Sequence, residues 1–408
     1  MKQVQTGLEN DYPAASLPAY EPKVVDVLTE NYGVAYFVLD RSILGRSWGG
    51  FRIADDLSLA EVKILARTMT IKSVLAGVPI GGAKGGIRPS KTVASETLLG
   101  LASRLLAPHI RRRSYFLGTD IGFDQRSANH VYELVGSVRR SFSGKLSPGE
   151  CCARSILASI EYVKKTNPEV EIETVALEGF GAMAVPTAKL LTLNGYKIVA
   201  VSNIEGTLED QTRLDIETLA EIATQSHSGF LVRYASNHPS ATFRPNEPIN
   251  SKQCDILIPG ARIFSISEST APMVKSKVVC PISNSPVTTA AEESLSARGI
   301  ISIPDVISNS GAVIGSFAQQ LGASEVQTEG IIAEIVNSNL KKVFEPASSR
   351  IPKSLAVELA LEHMKSLERS EKKTALHWLM PWFREFGLNS ILCGMKEYLS
   401  LKVPDAVA

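Results

Sequence analysis

Two ionisable side chains lie in glycine-rich segments, where missing side chains leave room around one charged group. Lys84 stands between two Gly-Gly pairs in VPIGGAKGGIRPS (78–90), and Asp120 stands between two glycines in SYFLGTDIGFD (114–124). The first segment predicts a loop, and ordering such a loop costs chain entropy, which suits a site that a substrate and a cofactor approach closely. The alternatives are a flexible surface turn with a solvated lysine and, for Asp120, a simple turn former.

Lys72 is a third candidate, on the apolar face of a helix that the spacing from Leu59 to Ala76 predicts. A capping box of Ser58 with Glu61 begins this helix. An inward lysine needs an anionic partner, which a substrate carboxylate would supply, or a shifted pKa; snorkelling is the alternative. Because a lysine with a lowered pKa acts as a base near neutrality, two inward amines and a carboxylate indicate proton transfer at a carbon–nitrogen centre.

A glycine motif after a predicted strand indicates a dinucleotide site. The strand 174–178 is followed by G-x-G-x-x-A and by a helix over 182–193. The two glycines permit a tight turn and close approach to a pyrophosphate, and the positive helix end holds the phosphates. An ordinary strand-to-helix turn is the alternative. The candidate cofactor-binding residues are Gly179, Phe180, Gly181, Ala182, Met183 and Ala184.

The next strand (196–202) lacks the acidic residue that is expected at its end for the ribose 2′-hydroxyl. Asn203 stands there, and it can hydrogen-bond the ribose without repelling a 2′-phosphate. Glu205 supplies a charge if the turn carries it inward. The sequence therefore leaves both NAD and NADP open as the cofactor.

Short apolar strands continue to alternate with helices, which predicts a doubly wound, parallel sheet. Further strands are expected in CDILIPG (254–260), KVVCPI (277–282) and GIISIPDVI (299–307). The segment SFSGKLSPGE (141–150) is rich in Ser, Gly and Pro and predicts a domain boundary. The last part of the chain, from about residue 352, is expected to be mostly helical.

Composition limits the classes of function. The 408 residues favour two domains, and 43 Lys plus Arg against 42 Asp plus Glu give a net charge of +1. This balance argues against nucleic-acid and anionic-membrane partners and for a small substrate. The five cysteines include no C-x-x-C pair and the histidines no metal-ligand spacing, so we expect a reducing compartment and no metal. Without an apolar signal or membrane segment, the expected location is cytoplasmic.

Taken together, the motifs resemble the glutamate, leucine, phenylalanine and valine dehydrogenase superfamily in their order and approximate spacing. The resemblance implies an N-terminal α/β substrate domain (1–150) completed by C-terminal helices (352–408), a Rossmann-type domain (151–351) and catalysis in the cleft between them. It also implies reversible, NAD(P)-dependent oxidative deamination of an L-amino acid to a 2-oxo acid and ammonia, and a homo-oligomer. The motifs are WGGFR (48–52), MTIK (69–72), GGAKGG (81–86), GTD (118–120), GFGAMA (179–184), DILIPGA (255–261), SNSPVTTAAEESLSARGI (283–300) and IPDVISNSGAV (303–313).

The resemblance also implies roles for single residues. Lys72 matches the lysine that holds the substrate α-carboxylate, and Lys84 matches the catalytic lysine that activates water and stabilises the carbinolamine. Asp120 matches the acid that exchanges protons with the amino group. Asn284 and Asn309 match asparagines that line the cofactor cleft.

Several positions depart from the family pattern. In glutamate-specific members a lysine before Gly49 and Gly50 pairs with the distal carboxylate, whereas this chain has Trp48, which favours an apolar or aromatic substrate. Ser316, however, matches a serine of the glutamate pocket, and Cys152 replaces a threonine near the nicotinamide. Glutamate thus stays open as the substrate, as do a related reaction on an unusual 2-oxo acid and a non-catalytic nucleotide-binding partner of an active paralogue.

Overall fold

The computed structural model describes residues 22–90, 93–137, 145–226, 228–345 and 351–369, and the structural statements below concern those ranges. The chain divides into two compact units, Met1–Ser143 with Ala360–Ala408, and Gly144–Leu359. Residues 141–144 of the predicted boundary segment 141–150 lie outside the described residues, as do Cys393 and the predicted C-terminal helices beyond residue 369. The domain limits at 150 and 352 stay predictions.

The first unit is built on a five-stranded sheet of order β1-β2-β4-β3-β5. β2 runs antiparallel to both β1 and β4, whereas β3 runs parallel to both β4 and β5. Helix α1 packs on β4, and α2 packs against β2 and β5. The elements are β1 (Val24–Glu30), β2 (Gly33–Leu39), β3 (Ser47–Ile53), α1 (Leu59–Leu75), β4 (Gly81–Pro89), α2 (Ser95–Arg111), β5 (Tyr115–Gly118) and α3 (Gln125–Leu134).

The glycine-rich segment around Lys84 forms the buried strand β4, so the predicted loop is wrong. A Cβ on Gly82 would lie 2.2 Å from the Thr70 amide nitrogen of α1, and a Cβ on Gly85 would lie 2.5 Å from Cδ2 of Phe51. The glycines therefore let a helix and an aromatic ring approach the strand, and protein atoms occupy the space that was expected to admit ligands.

The start of α1 differs from the predicted capping box. The Ser58 hydroxyl accepts a hydrogen bond from the Glu61 amide at 3.1 Å, as expected of a helix cap. The Glu61 carboxylate does not return to the cap, because it accepts a hydrogen bond from Arg52 of β3 at 2.5 Å. Lys72, in the last turn of α1, is 5% exposed, so it lies on the inner side of the helix as predicted.

The second unit confirms the predicted doubly wound sheet. Seven strands have the order β12-β11-β10-β6-β7-β8-β9, parallel from β12 to β7, with β8 and β9 antiparallel at one edge. The strands are β6 (Thr174–Glu178), β7 (Lys197–Asn203), β8 (Gly206–Glu209), β9 (Thr242–Pro245), β10 (Ile256–Ile258), β11 (Val278–Val279) and β12 (Ile301–Ser302). The strand predicted over 299–307 is too long, since a short helix follows β12.

Helices cover this sheet, and α4 packs against α5, α10 and α11. Ser147 and Glu150 form a reciprocal capping box at the start of α4. No helix in the described ranges is long and apolar enough to cross a membrane. The helices are α4 (Pro148–Thr166), α5 (Ala184–Leu193), α6 (Ile216–Gln225), α7 (Phe230–Asn237), α8 (Thr289–Ala297), α9 (Asp305–Ser308), α10 (Gly311–Gln320), α11 (Glu325–Phe344) and α12 (Pro352–Arg369).

Replacing Gly82 with alanine is expected to destabilise the protein, because the added Cβ would meet the backbone of α1 at 2.2 and 2.4 Å. Overpacking of this kind costs about 1–3 kcal/mol. Gly100→Ala on α2 is the control: nothing lies within 4 Å of its Cβ, and alanine stabilises a helix by roughly 0.5–1 kcal/mol. Urea denaturation compares the variants, and a Gly82→Ala protein as stable as the wild type would refute the close approach of α1 to β4.

Candidate functional site

Lys84 and Asp120 form a buried ion pair in the first unit. The Lys84 ammonium contacts Oδ2 of Asp120, and the two side chains are 3% and 10% exposed. β4 carries Lys84, and Asp120 follows β5 in a turn in which Asp120 and Phe123 exchange backbone hydrogen bonds of 3.0 Å. Gly122 adopts φ +69° in this turn. Asp120 is thus both a turn residue and the partner of Lys84.

Arg52 and Glu61 complete a four-charge cluster that sequence reasoning missed. Nε and Nη2 of Arg52 donate to Oδ1 of Asp120 at 3.2 and 3.0 Å, and Nη1 contacts Glu61 at 2.5 Å. Both side chains are at least nine-tenths buried. Arg52 lies inside the WGGFR segment, and the signal that could have identified it is its place on the same strand face as Trp48.

Burial and neighbouring charges shift both members of the ion pair. Burial raises the pKa of Asp120, but the charges of Lys84 and Arg52 and their hydrogen bonds outweigh it and bring the pKa to about 2. Burial lowers the pKa of Lys84, and the field of Arg52 lowers it further against the opposing effect of Asp120. The site therefore holds a carboxylate that stays ionised and an amine that releases its proton more readily than an ordinary lysine.

Trp48 lies on β3, the strand that also carries Arg52, and its side chain faces α1. Its indole Nε1 donates to the Ser73 hydroxyl of α1 at 2.9 Å, and Ser73 directly follows the buried Lys72. The glycines after Trp48 are fixed by packing: a Cβ on Gly49 would lie 1.7 Å from the Ala83 carbonyl oxygen, and one on Gly50 would lie 2.4 Å from that of Thr119. The first unit therefore contains the candidates Trp48, Gly49, Gly50, Lys72, Lys84 and Asp120.

The candidate dinucleotide residues form the turn from β6 to α5 in the second unit. Gly179 has φ +83°, and a Cβ there would lie 3.5 Å from the carbonyl oxygen of Gly260, which follows β10. The chain leaves β6 toward β7 and β10 toward β11, so this turn lies where the strand order reverses, the usual ligand position in such sheets. Gly181 and Ala182 are exposed.

The start of α5 leaves its first turn open to a ligand. Met183, at the cap position, makes no side-chain hydrogen bond to the helix, and Ala184 is buried as its first residue. Free amides at a helix N-terminus favour an anion such as a pyrophosphate. Phe180 stacks on Phe230, with 6.0 Å between the ring centroids.

Asn203 and Glu205 form a linked pair at the end of β7. The amide nitrogen of the Asn203 side chain donates to Glu205 Oε2 at 3.2 Å, and the Glu205 backbone amide donates to Asn203 Oδ1 at 2.9 Å. The Glu205 carboxylate also accepts the Gly229 amide at 2.9 and 3.0 Å. The turn thus holds an acidic group where the ribose-binding acid was expected.

Asn309 carries a buried acceptor without a hydrogen bond from any described residue. Its Nδ2 donates to the carbonyls of Ser283 at 2.6 Å and Ile282 at 3.3 Å and lies 3.5 Å from Asn284 Oδ1, whereas its own Oδ1 has no partner in this part of the chain. The Cys152 thiol of α4 lies 4.0 Å from the Asn309 carbonyl oxygen. Ser316, half-buried on α10, belongs to the same unit but makes none of these contacts.

These features fit a nicotinamide dinucleotide. The turn 179–184 would hold the pyrophosphate, Asn203 and Glu205 would face the ribose, and the orphan Oδ1 of Asn309 would accept an amide N–H of the carboxamide. The described residues include no group of three or more His, Cys, Asp or Glu side chains that could hold a metal ion.

Comparisons with known proteins agree with this geometry. The family model for Glutamate/Leucine/Phenylalanine/Valine dehydrogenase matches residues 144–364, and the model for the Glu/Leu/Phe/Val dehydrogenase, dimerisation domain, matches residues 26–134. The chain is 30% identical over 302 residues to an NADP-specific glutamate dehydrogenase of Saccharolobus shibatae, covering 68% of each chain. It is 27% identical over 366 residues to an NAD-specific glutamate dehydrogenase of Staphylococcus aureus, covering 83% of this chain and 84% of the relative.

A solved structure has the same fold. It is the hetero-hexameric glutamate dehydrogenase of Thermus thermophilus in a Leu-bound form, with a TM-score of 0.73, 21% identity, and coverage of 90% of this chain and 96% of that chain. The predicted fold, the cofactor class and the resemblance are thereby confirmed. The chain belongs to the Glu/Leu/Phe/Val dehydrogenase family of amino acid dehydrogenases.

Proposed function

We propose that this NAD(P)-dependent amino acid dehydrogenase reversibly deaminates an L-amino acid with an apolar or aromatic side chain, using Lys84 and Asp120 for acid–base chemistry. The observation that carries the proposal is the buried contact between the Lys84 ammonium and Asp120 Oδ2. An amine with a lowered pKa, beside a carboxylate that is ionised before substrate binds, is suited to moving protons at a substrate amino group.

Lys72, Lys84 and Asp120 have different roles in the proposed reaction. Lys72 holds the substrate α-carboxylate as a fixed positive charge. A nicotinamide dinucleotide, when bound, would supply the hydride acceptor that oxidation of the substrate to an imino acid requires. Neutral Lys84 takes a proton from the water that attacks the imino carbon, and the resulting ammonium stabilises the carbinolamine. Asp120 takes a proton from the substrate ammonium group before hydride transfer and returns it to the amino group of the carbinolamine, so ammonia leaves. The carbinolamine hydroxyl loses its proton to solvent, and the 2-oxo acid remains.

Trp48 supports the choice of an apolar or aromatic substrate. A glutamate side chain would bring a carboxylate against an indole whose only N–H already donates to Ser73. That carboxylate would lose its hydration without gaining a cationic partner, so the pocket would bind glutamate poorly. Glutamate is the rival within the same class, since curated relatives carry that name.

Glu205 supports a preference for NAD over NADP. Its carboxylate is held by the Gly229 amide and by Asn203, at the end of the strand that faces the adenosine ribose in such folds. A fixed negative charge there accepts a hydrogen bond from a 2′-hydroxyl and repels a 2′-phosphate.

We further propose a homo-oligomer whose substrate domain is residues 1–150 and whose dinucleotide domain is residues 151–351, with residues 352–408 completing the former. The match to a model described as a dimerisation domain supports oligomerisation. The cysteines at 151, 152, 254 and 280 are buried thiols that form no disulfide in the described part of the chain, which suits the reducing conditions of a cytoplasm.

Removing the acid–base pair is expected to abolish turnover. Lys84→Ala should lower kcat at least a hundredfold and Asp120→Asn by a similar factor, since positioned acids and bases contribute about 10²–10⁴. For the wild type, the deamination rate should rise with pH through the lowered pKa of Lys84, because the neutral amine is the base. Initial rates with a panel of 2-oxo acids, ammonia and NAD(P)H test this. Unchanged turnover of Lys84→Ala would refute the acid–base role of Lys84, whereas a wild type without turnover on any 2-oxo acid would favour a non-catalytic partner.

Changing Trp48 is expected to change the substrate. Trp48→Lys should raise kcat/KM for 2-oxoglutarate and lower it for aromatic 2-oxo acids, because it restores a cation for the distal carboxylate. Trp48→Leu is the matched control. It should lower kcat/KM for aromatic 2-oxo acids without raising kcat/KM for 2-oxoglutarate. A wild-type enzyme that prefers 2-oxoglutarate over every apolar 2-oxo acid would show the substrate assignment to be wrong.

The coenzyme preference is expected to depend on Glu205. The wild type should have a higher kcat/KM for NADH than for NADPH, and Glu205→Gln should reduce the ratio about tenfold by removing the repulsive charge. Glu217→Gln is the control, since Glu217 lies exposed on α6. A wild-type preference for NADPH would contradict the role given to Glu205.

A further inference from the structure

Arg52 links Asp120 to a second carboxylate in a way that the proposed function, on which this inference rests, does not use. Its guanidinium directs two nitrogens to Asp120 Oδ1 and the third to Glu61. Arg52 and Glu61 are 6% and 8% exposed in their side chains. Four charges that sum to zero are thus buried together, Glu61, Arg52, Asp120 and Lys84.

The two oxygens of Asp120 have different surroundings. Oδ1 accepts three donors: Nε of Arg52 at 3.2 Å, Nη2 of Arg52 at 3.0 Å and the Ile121 amide at 2.6 Å. An oxygen saturated in this way has no lone pair directed at a further proton. Oδ2 instead contacts the Lys84 ammonium. Proton exchange at Asp120 is therefore confined to one oxygen, the one beside the lysine.

We propose that Arg52, oriented by Glu61, is a positioning residue that saturates Asp120 Oδ1 and so reserves Oδ2 for proton exchange with Lys84 and the substrate amino group. The planar fork of an arginine is required for this, because it contacts one oxygen with two nitrogens and still reaches Glu61. Glu61 holds the fork from α1, whose first turn is fixed by the Ser58 cap.

The same charges act on Lys84 in opposite directions. The positive charge of Arg52 lowers the pKa of Lys84, whereas the negative charges of Asp120 and Glu61 raise it. From β2, the residue opposite Lys84 is the apolar Val38, and from β5 the nearby Tyr115 hydroxyl donates to the Gly49 carbonyl at 2.8 Å. α1 also carries the buried Lys72, whose charge is the same in every variant compared below.

A purely structural role would have a different signature. If Arg52 only tied β3 to α1, its loss would lower stability and kcat without shifting the pH dependence of the reaction. If it positions and polarises the pair, its loss must also shift the pH at which Lys84 becomes neutral. The loss of Glu61 must shift that pH the other way.

The experiment compares Arg52→Met, Glu61→Gln and the double variant, with kcat for deamination measured against pH. The acidic limb is the pH range over which kcat rises as Lys84 loses its proton. Arg52→Met should move this limb to higher pH by about one pH unit, the shift typical of removing a nearby charge. Glu61→Gln should move it to lower pH by a similar amount. The double variant should return the limb toward the wild-type pH while kcat stays at least tenfold low, because the fork is missing. Limbs that move in the same direction, or do not move, would overturn the proposal.

Two controls keep the outcome interpretable. Arg67→Met removes another buried arginine of the first unit, which pairs with Asp40 at 3.5 Å, and it should leave the limb in place. Arg52→Lys keeps the charge and loses the fork, so it should lower kcat with little shift of the limb. If Arg52→Met does not fold, Arg52→Lys and Glu61→Gln decide the question.

The inference and the proposed function can fail separately. Nitrogen NMR of the lysine side chains follows the titration of Lys84 without turnover, with Lys84→Ala identifying its signal. Opposite shifts in Arg52→Met and Glu61→Gln, in a protein inactive on every 2-oxo acid, would refute the proposed function while leaving the electrostatic coupling intact. Normal turnover with no shift in either variant would refute the positioning role alone.

Discussion

A lysine ammonium enclosed by protein must have a carboxylate beside it, and the geometry of the first unit meets this requirement. Lys84 is 3% exposed, and a charge so far from water is stable only when it is paired. Parallel pairing of β3 with both β4 and β5 brings Arg52, Lys84 and the turn after β5 to one region of the sheet. Strand order, and not proximity in the chain, thus assembles the cluster.

The second unit uses a different physical principle. Asn203 ends β7 and Glu205 follows it, and the first turn of α5, which has no side-chain cap, is suited to an anion. The strand order reverses between the parallel neighbours β6 and β10, so the loops that follow them run in opposite directions and leave room for a long, flat ligand. The groups proposed to transfer protons therefore lie in the first unit, and those proposed to bind the nucleotide lie in the second.

Sequence reasoning identified the charged candidates more successfully than the elements that carry them. Lys84 and Asp120 were identified because glycines surround them, but the same glycines concealed a strand, since a pattern of Gly and Ala shows no alternation. Glu61 was assigned to a helix cap from its spacing to Ser58, and only the sheet pairing reveals that its carboxylate turns to Arg52. The contact of Arg52 with Asp120 joins residues 68 positions apart and leaves no local signal.

The packing of the glycines limits what a motif in this family can prove. At Gly49, Gly82 and Gly85, any side chain would overlap atoms of the protein itself, so folding requires glycine there whether or not a reaction occurs. A descendant that lost its chemistry and kept its fold would retain nearly all of WGGFR and GGAKGG. Within these two segments, evidence of catalysis therefore lies in the lysine and the arginine, and the glycines that make the motifs easy to recognise report mainly on the architecture.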